Sequence, residues 1–313
     1  MVLKAFFLRA VSVFIAVLAL LFWVGVCDHD AWGVTEPDAC RLHFSIASDV
    51  HVEGNNAMRY KVFTRSMQDM KKCKSGNDAI LFLGDNTMNG FFGESILFHG
   101  AVRTVLRNEN VLTVLGNHDV GNGQGDADKK LGDFLLFSDA FFGRKLEKPC
   151  YVEKINGYTC IVLGLDVDLP WLQEALDAAD CEKPVFIFAH YPLNYAQMQG
   201  DSDTDSLRNL LARYGRERDI FCFVGHTHRD LSSSSFLSFN GFEQIYMPRL
   251  TELNGDKDNE PSIRTGDGVV AEVYDGEVVV RGRNFYRGEW IVSEKDGTPL
   301  EMRYTLRTAE DKR

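Results

Sequence analysis

The sequence predicts an α/β fold, and two observations carry the prediction: short apolar runs that each end in a polar cluster, and helix-like stretches between them. The runs read "LHFSIASDVH", "AILFLGDN", "VLTVLGNHD", "PVFIFAHYP" and "IFCFVGHTH". Near-continuous β-branched and aromatic residues bounded by glycine or polar residues suit strands buried on both faces. Strands alternating with helices make an α/β core. The chain has 313 residues, 45% of them hydrophobic and 25% charged, with no run of like charges and no internal repeat. One domain is therefore expected, spanning 41–290.

Residues 1–33 stand apart. Lys4 and Arg9 precede an uncharged apolar stretch from Ala10 to Cys27, and "DHD" follows. The stretch exceeds the roughly 7 to 15 residues of a signal-peptide apolar region, which favours an N-terminal apolar helix as a membrane anchor, basic end toward the cytoplasm. A cleaved signal peptide is the competing reading, with small Gly25 and Cys27 as a cleavage pattern. Bulky Val26 disfavours a lipoprotein site at Cys27. Under the anchor and the signal-peptide readings alike, the remaining chain faces outside the cytoplasm.

Along the domain, Asn55 and Asn56 offer caps for a helix whose Met58, Val62, Phe63, Met67 and Met70 share one face. "GESILFHGAVRTVLRN" and "DSLRNLLARYG" behave similarly. Asn156-Gly157 marks a two-residue hairpin that sets Cys160 opposite Glu153 and Cys150 opposite Leu163, so these two cysteines do not face each other. No Cys-x-x-Cys pair exists, which excludes a zinc ribbon or a thioredoxin-like site. From Glu243 onward the pattern is β-rich, with a tight turn at Asp275-Gly276. Acidic "TELNGDKDNEPSIRTGD" reads as an exposed loop, "RGRNFYRGEW" as a solvated strand or a basic edge of the site, and 291–313 as an extension.

Five of the eight histidines fall in the strand-end clusters; His29, His43 and His99 do not and receive no role. Taken singly, Asp49 and His51 in "SDVH" could be a turn aspartate and a surface histidine, and Gly84-Asp85 a common turn. Five consecutive runs ending in metal-competent side chains are a different matter, because loops leaving the carboxyl ends of neighbouring strands converge on one crevice. Aspartate, asparagine and histidine without thiolate suit iron, manganese or zinc. Asp49, His51, Asp85, Asn117, His190, His226 and His228 are more donors than one tetrahedral ion needs, and one carboxylate can bridge a pair.

The ordered set Asp49-x-His51, Gly84-Asp85, Gly116-Asn117-His118-Asp119, His190 and Gly225-His226-x-His228 resembles the metal motifs of the calcineurin-like metallophosphoesterase superfamily over residues 41 to 230. The resemblance implies a sandwich of mixed β-sheets flanked by helices. It assigns Asp49, His51 and His228 to one ion, Asn117, His190 and His226 to the other, and Asp85 to the bridge. It further implies that His118 stabilises phosphoryl oxygens or protonates the leaving alkoxide; Asp119 is expected to orient its imidazole, as carboxylates commonly orient catalytic histidines. Two divalent ions outweigh Asp49, Asp85 and a hydroxide, so the site would be positive although the chain carries −11. Extended nucleic-acid binding is not expected at that charge.

Two departures narrow the class. "GDNTMNG" lacks the tyrosine that purple acid phosphatases place after Gly-Asp, so a tyrosinate-iron(III) centre is not expected. "GNHDVGNG" has Asp119 where the serine/threonine phosphatases have glutamate, and no nearby arginine, which disfavours a phosphoprotein substrate. The expectation is a binuclear hydrolase acting on a small phosphomonoester or phosphodiester, a nucleotide among them. A metal-binding module that docks a partner or phosphorylated ligand without turnover is the alternative. A metallopeptidase lacks its His-Glu-x-x-His helix.

Overall fold

The computed structural model describes residues 27–193, 204–254, 260–293 and 296–308. The apolar stretch read as an anchor lies outside these residues apart from Cys27. No helix among the described residues is long and apolar enough to cross a membrane.

Two sheets pack face to face with helices outside them, as expected. The first takes β1 (Leu42–Ala47), β2 (Ala79–Phe82) and β3 (Val111–Thr113) in parallel, then adds β12 (Asp267–Val273) antiparallel to β1 and β13 (Glu277–Asn284) beside β12. Short β14 (Glu289–Trp290) and β15 (Glu301–Thr305) both pair with β13. The chain after residue 290, expected as an extension, thus contributes a strand to this sheet. The second sheet runs β4 (Tyr151–Ile155), β5 (Tyr158–Val162), β6 (Val185–Ala189), β7 (Ile220–Val224), β9 (Phe242–Tyr246), β8 (Phe236–Phe239).

Period-two alternation explains the layers. Leu42, Phe44 and Ile46 of β1 and Phe186 and Phe188 of β6 turn into the space between the sheets, where Phe44 meets the rings of Phe186 and Phe188 edge-on at 5.3 and 5.6 Å. The alternate residues Val185, Ile187 and Ala189 face outward onto α4 (Leu169–Asp177) and α5 (Thr204–Tyr214). Ile80 and Phe82 face α1 (Ala57–Met70) and α2 (Phe92–Val105), which supply Phe63, Met67 and Phe98. Asn56 caps α1 by accepting from the Arg59 N–H at 3.1 Å. A further helix, α3 (Ala127–Phe142), packs on α2 through Phe137, and His99 lies buried among Phe98, Phe137, Phe141 and Phe142.

The hairpin register is the expected one, Glu153 opposite Cys160, with Asn156 and Gly157 both at positive φ. Cys150 Sγ accepts instead from the Gly164 N–H at 3.1 Å, and no disulfide links the described cysteines.

The "TELNGDKDNEPSIRTGD" segment is less exposed than its composition suggests. Thr251, Thr265 and Asp267 at its ends are buried, because they bond to the strand exits they run beside. Leu253–Asn254 (β10) and Glu260–Pro261 (β11) pair across its middle, while residues 255–259 lie outside the described set.

Neither reading of "RGRNFYRGEW" holds for Arg283. Its guanidinium is buried, donates to both Asp69 carboxylate oxygens at 2.7 and 2.8 Å, and packs against the rings of Trp32 and Trp290. Pairing and stacking compensate its desolvation and pull Trp32 onto the domain. Asp69→Asn leaves that cation half-paired in a dry setting and is expected to cost about 3–5 kcal/mol in urea denaturation.

Burial pushes the Asp267 carboxyl up to about 7 despite the bond from Asn284. Between its ordinary 3.8 and about 7 the folded protein holds a proton that the unfolded chain has released. Stability should therefore fall as pH rises through that window. Asp267→Asn should flatten this slope when denaturation is compared at pH 4.5 and pH 8.

Candidate metal centre

The polar residues beyond β1, β2, β3, β6 and β7 meet at one end of the sandwich. At the exits of β1, β2 and β7 the backbone turns sharply: Asp49, His51, Asp85, His226 and His228 all have φ between 47° and 67°. Positive φ is costly for residues other than glycine and clusters at functional sites. Here it swings successive side chains toward one point. Gly84 adopts φ 86°, and a Cβ there would strike the His190 ring at 2.7 Å. At Gly116 a Cβ would lie 2.0 Å from the Asp85 nitrogen.

Bonds across the seam hold the two sheets in register. His190 Nδ1–H donates to the Leu83 carbonyl at 2.8 Å and the His226 N–H donates to Asp49 Oδ2 at 3.1 Å, while within the first sheet the His118 N–H donates to Asp85 Oδ1 at 2.8 Å. The Ser48 hydroxyl completes the hold on Asp49 Oδ2 at 2.6 Å.

Two donor groups result, Asp49/His51/Asp85/His228 and Asp85/His190/His226, and Asp85 belongs to both. In the first, the Nε2 atoms of His51 and His228 stand 3.2 Å apart, and both approach Asp49 Oδ1, at 3.7 and 3.0 Å. One proton cannot serve all three atoms, whereas one cation can. In the second, His190 Nδ1–H is committed to Leu83, so Nε2 is the nitrogen that faces the centre and, once deprotonated, can ligate. Asn117 commits its amide N–H to Asn122 Oδ1 at 3.1 Å and turns its own Oδ1 to His190 Nε2 at 3.0 Å, with Asp85 Oδ1 at 3.3 Å. Three acceptors around one point fit a metal ion.

The protonation pattern agrees. Burial opposes ionisation of Asp49 and Asp85, yet His228 and His51 hold the first well below the usual carboxylate range, and His190 lowers the second. Burial also works against protonation of His190, but the Asp85 and Asp49 charges outweigh it and raise it to about 9. Without an ion, that proton supplies the positive charge the buried carboxylates need. Burial lowers His51 to about 4 and lowers His226, which leaves neutral imidazoles able to ligate.

All seven expected ligands are thus brought together, and His118 stands at the rim with its ring 4.8 Å from that of His51. The expected role of Asp119 is not the observed one. Its carboxylate is buried and accepts from the Gly116 and Thr87 N–H groups, the Thr87 hydroxyl and the Asn86 amide, all within 2.9–3.1 Å. These bonds pin the loops after β2 and β3 together. The Met88 carbonyl, 2.6 Å from His118 Nδ1, orients the imidazole instead. A backbone carbonyl carries no side-chain signature in the sequence. Sequence reading also passed over Asn122, although it sits in the quoted "GNHDVGNG", and Tyr191, whose ring packs edge-on against His226 at 4.6 Å.

A two-sheet sandwich with this donor set at one end defines a metal-dependent phosphoesterase class. The chain belongs to the calcineurin-like phosphoesterase family, whose profile matches residues 42–230. Among solved structures it is similar to purple acid phosphatase PPD1 from yellow lupin (Lupinus luteus), with 14% identity, a TM-score of 0.59, and coverage of 87% of this chain and 55% of that one. It is also similar to PhoD, at 11% identity, a TM-score of 0.53, and coverage of 89% and 72%. The chain therefore spans about half the lupin protein's length, and these likenesses concern the fold. No curated protein matches its sequence.

Because Asp85 is shared by both groups, Asp85→Asn should lose most of the metal held by the wild-type chain, measured by plasma emission spectrometry on protein whose circular dichroism is unchanged. Undiminished metal content would remove Asp85 from the ligand set.

Proposed function

We propose that this protein is a binuclear phosphoester hydrolase acting on a small phosphate ester. The single observation that carries the reading is the Asp85 carboxylate, common to two groups of buried or half-buried donors that suit metal ions. Asp49, His51 and His228 would hold one ion and Asn117, His190 and His226 the other. When bound, such a pair supplies Lewis-acid charge and a water of lowered pKa for in-line attack. Iron, manganese and zinc all suit the nitrogen and oxygen donors.

The chain's own residues complete the chemistry. His118 donates Nδ1–H to Met88, which leaves Nε2 facing outward beside the Asn122 amide at 3.4 Å and 4.0 Å from Asp85 Oδ2. When protonated, Nε2 can hydrogen-bond a phosphoryl oxygen. It can also pass its proton to the departing alkoxide as the phosphorus–oxygen bond breaks. A docking module would need the metal ligands but no such proton donor, and the placement of His118 therefore supports turnover.

The test is hydrolysis of p-nitrophenyl phosphate and bis-p-nitrophenyl phosphate by the full chain, purified in detergent and loaded separately with each metal. His118→Asn is expected to retain metal and lose about 10²- to 10³-fold in kcat on at least one ester. A loaded wild-type protein inert toward both esters would leave the docking module as the surviving reading.

A further inference from the structure

We infer that Arg249 receives the dianionic phosphoryl group at this centre, which makes phosphomonoesters its substrates; the inference rests on the hydrolase reading above. Arg249 lies about two hundred residues from Asp49 in sequence but beside it in space. It forms a parallel bridge with Ser48, while the Leu250 N–H donates to the Ser48 carbonyl at 2.9 Å and the Thr251 hydroxyl to the Val50 carbonyl at 2.7 Å. The segment therefore runs along the exit of β1 that carries Asp49 and His51. Leu250 turns into the core with Val50 and Val52. Arg249, which alternates with Leu250 along this extended segment, lies on its opposite side, at the register position of Ser48.

The Arg249 Nε is buried and makes no hydrogen bond, and among the described residues no carboxylate pairs with its guanidinium. Other arginines in the fold are matched: Arg283 to Asp69, Arg281 to Glu272, Arg264 to Asp230 and Arg307 to Asp219. Leaving a partly buried guanidinium unmatched costs free energy that a bound anion would return. Its planar fork fits two phosphoryl oxygens at once. With the His118 ring against His51 and the Arg249 segment running beside Ser48 and Asp49, both border the space over the metal ligands. A monoester brings three non-bridging oxygens and two negative charges to that space. A diester brings one charge fewer and a second esterified oxygen where the guanidinium would bind.

Arg249→Ala, with Arg249→Lys and Arg249→Gln as bulkier variants should alanine impair folding, is assayed in the metal-loaded full chain. For alanine the expected result is about a 10²-fold loss of kcat/KM on p-nitrophenyl phosphate. Loss on the bis ester should stay below about threefold, with metal content unchanged and inhibition by inorganic phosphate weakened at least about tenfold. Lysine should recover only part of the loss, because it cannot bond bidentately. Equal losses on both esters, or unaltered inhibition by phosphate, would overturn the assignment. If the wild-type chain hydrolyses neither ester, the hydrolase reading fails by itself. Calorimetric affinity of the metal-loaded protein for inorganic phosphate, with and without Arg249, then decides whether this residue binds the anion.

Discussion

Two carboxylates, Asp49 and Asp85, are buried side by side where the two sheets meet, and the surroundings are arranged around that electrostatic constraint. Neither can be left uncompensated in a dry interior. Asp49 is held by Ser48, by the His226 backbone and by His228; Asp85 is held by the His118 backbone and faces His190. Every one of these partners except Ser48 and His118 comes from the second sheet, so stabilising the carboxylates also docks the sheets. The His190 bond to Leu83 crosses the same seam and fixes which imidazole nitrogen looks into the centre.

That constraint also accounts for the backbone. Five of the expected ligands sit at positive φ, a conformation that costs each of them free energy and is repaid when convergent donors share a cation. The glycines of the motifs have a packing rather than a chemical reason: at Gly84 and Gly116 any Cβ would collide with His190 or with the Asp85 backbone. The motif Gly-Asn-His-Asp is then read as four separate jobs. Gly116 admits Asp85, Asn117 faces His190, His118 reaches the rim, and Asp119 ties the loops after β2 and β3 together.

The rest of the molecule supports this end of the sandwich from a distance. Buried Phe44, Phe186 and Phe188 fill the space between the sheets, and the Arg283–Asp69 pair with its two tryptophans secures the far side of the first sheet against α1. Asp267 is buried next to Gly266, whose N–H donates to Leu250, so the acidic loop returns to the sheet beside the segment that carries Arg249.

Strand positions, the hairpin at Asn156-Gly157 and the convergence of the strand-end donors were legible because each depends on short-range signals: apolar runs, turn residues, and polar clusters at strand ends. Position in the chain could not reveal which groups orient others. The Met88 carbonyl behind His118 and the Leu83 carbonyl behind His190 are backbone atoms that any residue would supply. Composition misjudged Arg283 as solvated, since its pairing with Asp69 spans 214 residues. The loop "GNHDVGNG" holds no arginine, yet the fold brings Arg249 alongside Ser48. The sequence by itself determined the donor types and the strand ends that carry them. Only the tertiary structure decided which lone pairs face one another and which charges are left unmatched, because both depend on the register of two sheets whose contacts are non-local.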